Sequence, residues 1–166
     1  MGRGLTTGEV VSQGKAVLDG GATRTLGSVA ALEKIMEINQ RTHGKSGLSS
    51  VDLEDRPTFG FGNSSRDQCV STALLNVQAN GRGGELKVHA LDKGSGPLLF
   101  SVESLRSLGA VIDFEHDLVC FRKLTDRRVI RVERSEAGHQ LLPMTEDWYA
   151  RAADTKSPVP SLADLI

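Results

Sequence analysis

Apolar and polar positions alternate along this chain in short blocks, with no long run of either kind. Residues 14–18, Gly-Lys-Ala-Val-Leu, lead into Asp19 and are closed at once by Gly20-Gly21. That pattern predicts a short buried strand stopped by a strong breaker. Across residues 28–39 the period changes: Ser28 stands at an N-cap position, and Ala31, Leu32, Ile35 and Ile38 fall on one helical face. Residues 40–56 are polar and predict a long loop or irregular strand. Residues 58–63 predict a strand running into a glycine-bearing turn, and residues 68–78 the strand that returns from it. Asn80-Gly81 opens a turn that runs to Gly84. In residues 85–91, Leu86, Val88 and Ala90 alternate with Lys87 and His89, the period of a half-buried strand. Residues 97–100 predict a short apolar strand, and Ser101 begins a helix that Gly109 is placed to end. Residues 110–114 and 118–121 flank Glu115-His116-Asp117 as a hairpin, and residues 129–132 and 140–143 predict another strand pair. Short strands, frequent turns and two short helices point to a mainly β barrel or folded sheet and away from a parallel βαβ architecture.

Composition narrows this further. A chain of 166 residues suits one domain with a tail. Residues 1–8 are Gly- and Thr-rich and expected to be loose. Residues 148–166, with Lys156-Ser157-Pro158-Val159-Pro160, are expected to form a linker or disordered end, leaving 9–147 as the folded unit. Aromatic residues make up only 4%, so the core must rest on Leu, Val, Ile and Ala. A net charge of −1 argues against a strongly basic nucleic-acid surface. The cluster Arg122, Lys123, Arg127, Arg128 and Arg131 reads as a solvated strand face. Cys69 and Cys120 are too few for a disulfide framework, lack zinc spacing, and suit a reduced setting. No apolar run reaches the roughly 18 residues needed to span a bilayer, and the N-terminus has no apolar signal-peptide core. The expected location is cytoplasmic or nuclear, with no membrane partner.

The informative stretch for chemistry is residues 15–23, Lys-Ala-Val-Leu-Asp-Gly-Gly-Ala-Thr. It holds one carboxylate at the end of a buried strand while the backbone turns sharply behind it. The glycines allow positive φ and the close approach of another chain or a substrate. Two such carboxylates sharing one proton work as base and acid around one water, and they titrate as a pair. Only one such turn occurs in the chain, so the second acid must come from another copy, brought to a two-fold axis in a homodimer.

The turn resembles the Asp-Thr/Ser-Gly-Ala signature of retroviral-type (retropepsin-like) aspartic proteases, especially those of copia-like retrotransposons. The resemblance extends in order along residues 9–147. The hairpin around residues 59–77 stands where that family carries its substrate-covering flap. Residues 97–101, the helix to Gly109 and residues 110–114 resemble its second apolar strand, late helix and final hairpin. The resemblance implies a small, closed, barrel-like acid-protease domain with one or two short helices. It implies Asp19 as the catalytic aspartate, activating water with Asp19 of a second subunit. Gly21 and Ala22 would shape the turn, with Gly60, Phe61, Gly62 and Asn63 at the flap, binding a peptide or polyprotein substrate. The sequence departs from the family twice. Gly20 stands where the family has Ser or Thr, whose hydroxyl joins a lattice bracing the two active-site loops at about 0.5–1.5 kcal/mol per hydrogen bond. After Leu98-Leu99, where the family usually has glycine, this chain has Phe100, so the packing beneath the active-site loop must differ.

Other polar residues have plainer readings. Asp19 before Gly is also a common turn residue. His43, His89, His116 and His139 lie in different predicted elements without ligand spacing, so no metal and no cofactor are expected. Asp113, Glu115 and Asp117 imitate an acidic cation site but read as a solvated turn. Cys69 reads as a buried apolar residue. Ser49-Ser50 and Ser64-Ser65 lack the context of a nucleophile elbow, and Gly60-x-Gly62 lacks that of a nucleotide-binding loop. The competing functions are a homodimeric endopeptidase acting on a retroelement polyprotein, a catalytically impaired dimerisation or peptide-binding module of the same fold, and an unrelated β-barrel binding module.

Overall fold

The computed structural model of the chain describes residues 4–60 and 66–166. The chain opens with α1 (Thr7–Ser12), β1 (Lys15–Asp19), β2 (Leu26–Ser28), α2 (Val29–His43) and β3 (Leu48–Asp52). A small hairpin, β4 (Thr58–Gly60) and β5 (Arg66–Gln68), precedes the long pair β6 (Ser71–Ala79) and β7 (Arg82–Leu91). Then come β8 (Leu98–Ser101), α3 (Val102–Ser107), β9 (Ala110–Asp113), β10 (Leu118–Phe121), β11 (Arg128–Arg131) and β12 (Glu133–Arg134). The chain finishes with β13 (Gln140–Pro143), β14 (Ala152–Asp154) and a 3-10 turn at Leu162–Leu165.

The mainly β class holds. Eight strands form one sheet in the order β12-β13-β1-β8-β2-β7-β6-β3, and four form a second, β14-β11-β10-β9. The expected closed barrel is not what the described pairings give: the larger sheet is open, ending at β12 and β3. Its centre carries the feature that matters for the site. β8 pairs in parallel with β1, from Ala16↔Leu98 to Asp19↔Ser101, and antiparallel with β2 through Leu26↔Leu99. It is therefore threaded between two strands that are joined only by the short turn after Asp19. This crossing is close at Gly27, where a Cβ would lie 3.2 Å from the Leu98 Cα, tighter than an ordinary contact.

The local signals explain the helices. The Ser28 side chain accepts from the Ala31 N–H, and Ala31, Leu32, Ile35 and Ile38 are buried as their spacing predicts. The helix runs one turn further than its apolar stripe, to Gly44 in the left-handed region. Buried Asn39 supports that turn by donating to the Ser46 carbonyl (3.2 Å). Ser101 caps α3 by accepting from the Ser104 N–H, and Gly109 follows with φ 64°.

Several expectations are corrected. The strand predicted at 68–78 is β6 for most of its length and does not return on β4: β6 pairs with β7 and β3, and the strand that returns on β4 is β5, which ends at Gln68. Residues 129–132 do not pair with 140–143; β11 joins β10 and β14, and β13 takes β12 and β1 as neighbours. Of residues 1–8, expected to be loose, 1–3 lie outside the described residues; Leu5 bridges to Ser135, and Thr6 caps α1 with a complete capping box to Glu9. The stretch expected as a linker packs on the core. Trp148 and Tyr149 are 5% and 3% exposed. Trp148 stands edge-on to Phe100 at 5.6 Å and lies 5.5 Å from Phe121. Few as they are, the aromatics are concentrated here, each pair adding about 0.5–1.5 kcal/mol beyond the area it buries. Among the described residues there are three α-helices and the 3-10 turn, against the one or two short helices expected.

Candidate active site

Asp19 is the last residue of β1, and the three residues before it are buried. β1 is hydrogen-bonded on both sides, to β8 and β13, so the backbone delivering this carboxylate is held firmly. The turn that follows is built on the carboxylate itself. Gly21 N–H donates to Asp19 Oδ1 (2.9 Å), Ala22 N–H donates to the Asp19 carbonyl (3.2 Å), and Val102 N–H donates to the Ala22 carbonyl (2.9 Å). Among the described residues Oδ2 makes no hydrogen bond, so one oxygen is fixed and the other is open to a ligand or a second acid.

The glycines act differently from expectation. Neither Gly20 nor Gly21 has positive φ. Gly21 is constrained by proximity: a Cβ there would lie 3.2 Å from Asp19 Oδ1, and the carboxylate would have to give by a few tenths of an ångström. A Cβ on Gly20 would meet no atom of the described residues within 4 Å, so packing against them does not dictate its missing side chain. Phe100, in the position the family resemblance assigns to glycine, is fully buried and registers opposite Leu18. It turns the space beneath the turn into aromatic core.

Behind the turn lie three hydroxyls that sequence reading did not join. Thr25 Oγ1 donates to Ser101 Oγ (3.1 Å), Ser101 Oγ donates to Ser104 Oγ (3.2 Å), and Ser104 Oγ lies 3.1 Å from Thr25 Oγ1. Thr25 and Ser101 are 4% and 1% exposed. The available signal was a hydroxyl residue at each end of an apolar strand context, Thr25 before Leu26 and Ser101 after Phe100. The partnership between them is tertiary.

The hairpin β4–β5 stands apart from the main sheet. Its base is fastened where Cys69 N–H donates to the Pro57 carbonyl (2.8 Å) and Arg56 Nε donates to the Cys69 carbonyl (3.2 Å). Gly60 is exposed at the end of β4, where an added Cβ would meet no atom of the described residues within 4 Å; Phe61, Gly62 and Asn63 lie outside the described residues. One path connects hairpin and turn. His89 donates its backbone N–H to the Thr25 carbonyl (3.0 Å), its ring faces Phe59 at 6.0 Å, and its Nδ1 meets Thr72 Oγ1 at 2.7 Å. Burial pushes the His89 imidazole pKa down, opposed by Asp55 and aided by Arg24 and Lys87.

A cleft of about 720 Å³ is lined by Thr25, Ser101, Ser104, His89, Phe100 and Trp148, among others. Asp19, Gly21 and Ala22 do not line it. The carboxylate and this cleft are therefore separate features of a single chain.

The remaining candidates resolve into structural roles. Asp113 accepts from the His116 N–H (2.9 Å) and faces its ring, contacts that hold its carboxyl below the usual range. Asp117 accepts from Arg134 (2.6 Å) and Gln140 (3.0 Å). The acidic triple is thus an ion-paired turn, and no cluster of three metal-ligating groups occurs among the described residues. Cys69 and Cys120 are free and buried, and burial pushes both thiols up. Arg122 and Arg128 are not a solvated face. Arg122 donates to the Val159 carbonyl (2.9 Å); Arg128 donates to Asn80 Oδ1 (2.7 Å) and lies over the Tyr149 ring. No described helix is long and apolar enough to cross a membrane.

No protein-family model matches the chain, and no curated protein sequence matches it. Among solved structures the chain is similar to the retroviral protease-like domain of Ddi1 from Leishmania major. The TM-score is 0.41 and the identity 13%, over 78% of this chain and 91% of that one. At that TM-score and identity the likeness assigns no role to any residue of this chain.

Proposed function

We propose that the chain is a retropepsin-like aspartic endopeptidase that works as a homodimer, with the polyprotein of a retroelement as its substrate class. The observation that carries this reading is the state of Asp19. One carboxylate oxygen is fixed by the Gly21 N–H (2.9 Å) at the end of a buried strand, while Oδ2 has no partner among the described residues. A second copy brought up about a two-fold axis supplies the other acid. The position of Asp19 outside the single-chain cleft accords with a groove completed by two subunits.

The chemistry follows from two carboxylates sharing one proton. The ionised Asp19 takes a proton from a water held between the pair, and the oxygen of that water bonds to the peptide carbonyl carbon. The protonated Asp19 gives its proton to the carbonyl oxygen, forming a neutral gem-diol. When the C–N bond breaks, a proton passes from the diol through the dyad to the departing nitrogen, which leaves as an amine while a carboxylic acid remains. Because the pair must keep one proton, cleavage is expected on the acid side of neutrality.

The test is digestion of a peptide library at several pH values with wild-type protein and Asp19→Asn. Cleavage by the wild type and none by the variant supports the reading; equal turnover by both removes Asp19 from the mechanism. Gly20 favours a second reading, a dimerising peptide-binding module without catalysis. That reading predicts peptide binding by a dimer and no cleavage products at any pH.

A further inference from the structure

We infer that Thr25, Ser101 and Ser104 form a closed hydroxyl ring that positions the Asp19 turn from within one chain, in place of the inter-loop bracing that Gly20 has no hydroxyl to provide. Its consequence for rate rests on the endopeptidase reading; its consequence for the turn does not.

The ring is closed by donor and acceptor count. Thr25 donates to Ser101, and Ser101 donates to Ser104. The Ser104 hydroxyl completes the circuit by donating to Thr25 Oγ1 (3.1 Å). Two backbone donors feed the same oxygens: Ser101 N–H to Thr25 Oγ1 (3.1 Å) and Ser104 N–H to Ser101 Oγ (3.2 Å). Thr25 Oγ1 and Ser101 Oγ each donate once and accept twice, which saturates a hydroxyl. A partly filled polar network in a core costs stability, whereas a complete one specifies geometry.

What the ring specifies is the turn. Ser101 registers opposite Asp19, so the ring's central residue lies beside the reacting one. The next residue, Val102, donates to the Ala22 carbonyl (2.9 Å) in the middle of the turn. Thr25 closes its far end, and its own carbonyl accepts from the His89 N–H (3.0 Å). Between these anchors Gly20, Gly21, Thr23 and Arg24 are exposed. The turn is thus clamped at Asp19, Ala22 and Thr25, with β8 and α3 as the clamp. Thr25, Ser101 and Ser104 are positioning residues: they act through the backbone that carries Asp19.

The test compares wild type, Thr25→Val, Thr25→Ser and Ser104→Ala by amide hydrogen exchange and steady-state cleavage. Thr25→Val is expected to speed exchange at Gly21, Ala22 and Val102 by about tenfold or more, with Leu75 and Val88 in the long hairpin unchanged. Its kcat is expected to fall about tenfold with KM held, and Thr25→Ser is expected to restore both readouts. Ser104→Ala, which opens the ring at its half-exposed member, is expected to give the same local pattern more weakly, and it decides the matter where Thr25→Val does not fold. Unchanged exchange at the three amides, or a rise spread evenly over the long hairpin, overturns the inference. If wild-type protein cleaves no peptide, the endopeptidase reading falls and the exchange measurement still decides whether the ring holds the turn.

Discussion

The two glycines after Asp19 look interchangeable in sequence but bear different constraints. A side chain at Gly20 enters open space on a backbone without positive φ. Gly20→Ser is therefore expected to leave folding intact, with stability unchanged or raised by up to about 1 kcal/mol through a less flexible unfolded chain. In the endopeptidase reading it also raises kcat, by returning the hydroxyl that the resemblance assigns to this position. A Cβ at Gly21 meets Asp19 Oδ1 at 3.2 Å. Gly21→Ala is accordingly expected to displace the carboxylate and lower kcat while the melting temperature moves little. Thermal melts beside steady-state rates on the two variants check both; equal rates would mean that the turn does not orient the acid.

At the scale of elements, the long β6–β7 pair is tied to the C-terminal stretch by one carboxylate. Asp147 accepts from Asn80 N–H (2.9 Å), Gly81 N–H (2.8 Å) and Tyr149 N–H (2.8 Å). Partial burial would raise its pKa, but these backbone donors outweigh that effect and hold the carboxyl below its ordinary value. A native pKa below the unfolded value of about 3.9 stabilises the fold above that pH, and the stability is lost as pH falls through the native pKa. Asp147→Ala is expected to cost about 1.5–3 kcal/mol near neutrality, the range for hydrogen bonds to a charged group, and less at pH 3. Urea unfolding of wild type and variant at the two pH values checks this; a gap that stays constant with pH would assign the loss to packing. The Asn80-Gly81 turn was legible in sequence, because both residues need the left-handed region and have φ 54° and 78°. Its carboxylate partner was not, since Asp147 lies 67 residues away from Asn80.

For the whole molecule, the boundary of the folded unit rests on Trp148. It is buried against Phe100 and Phe121, and it is followed by β14, which extends the second sheet beside β11. Trp148→Ala is expected to cost about 3–5 kcal/mol. A chain ending at residue 147 is expected to expose the same aromatic surface and to bind a hydrophobic dye in the absence of denaturant. Denaturant midpoints and dye fluorescence measure these effects; wild-type behaviour of the shortened chain would restore 9–147 as the folded unit.

The sequence by itself determined the local features of this protein: the strand ending at Asp19, the capped helix after Ser28, the cap at Ser101, the stop at Gly109 and the mainly β class. Each depends on the period of neighbouring side chains or on the φ preference of one residue. Only the tertiary structure decided that β8 threads between β1 and β2, that the hydroxyls of Thr25 and Ser101 meet, and that Trp148 packs in the core against Phe100 and Phe121. Those arrangements join residues tens of positions apart, where the free energy comes from burial and from the pairing of polar groups removed from water. Such pairing has no signature in the spacing of either partner along the chain.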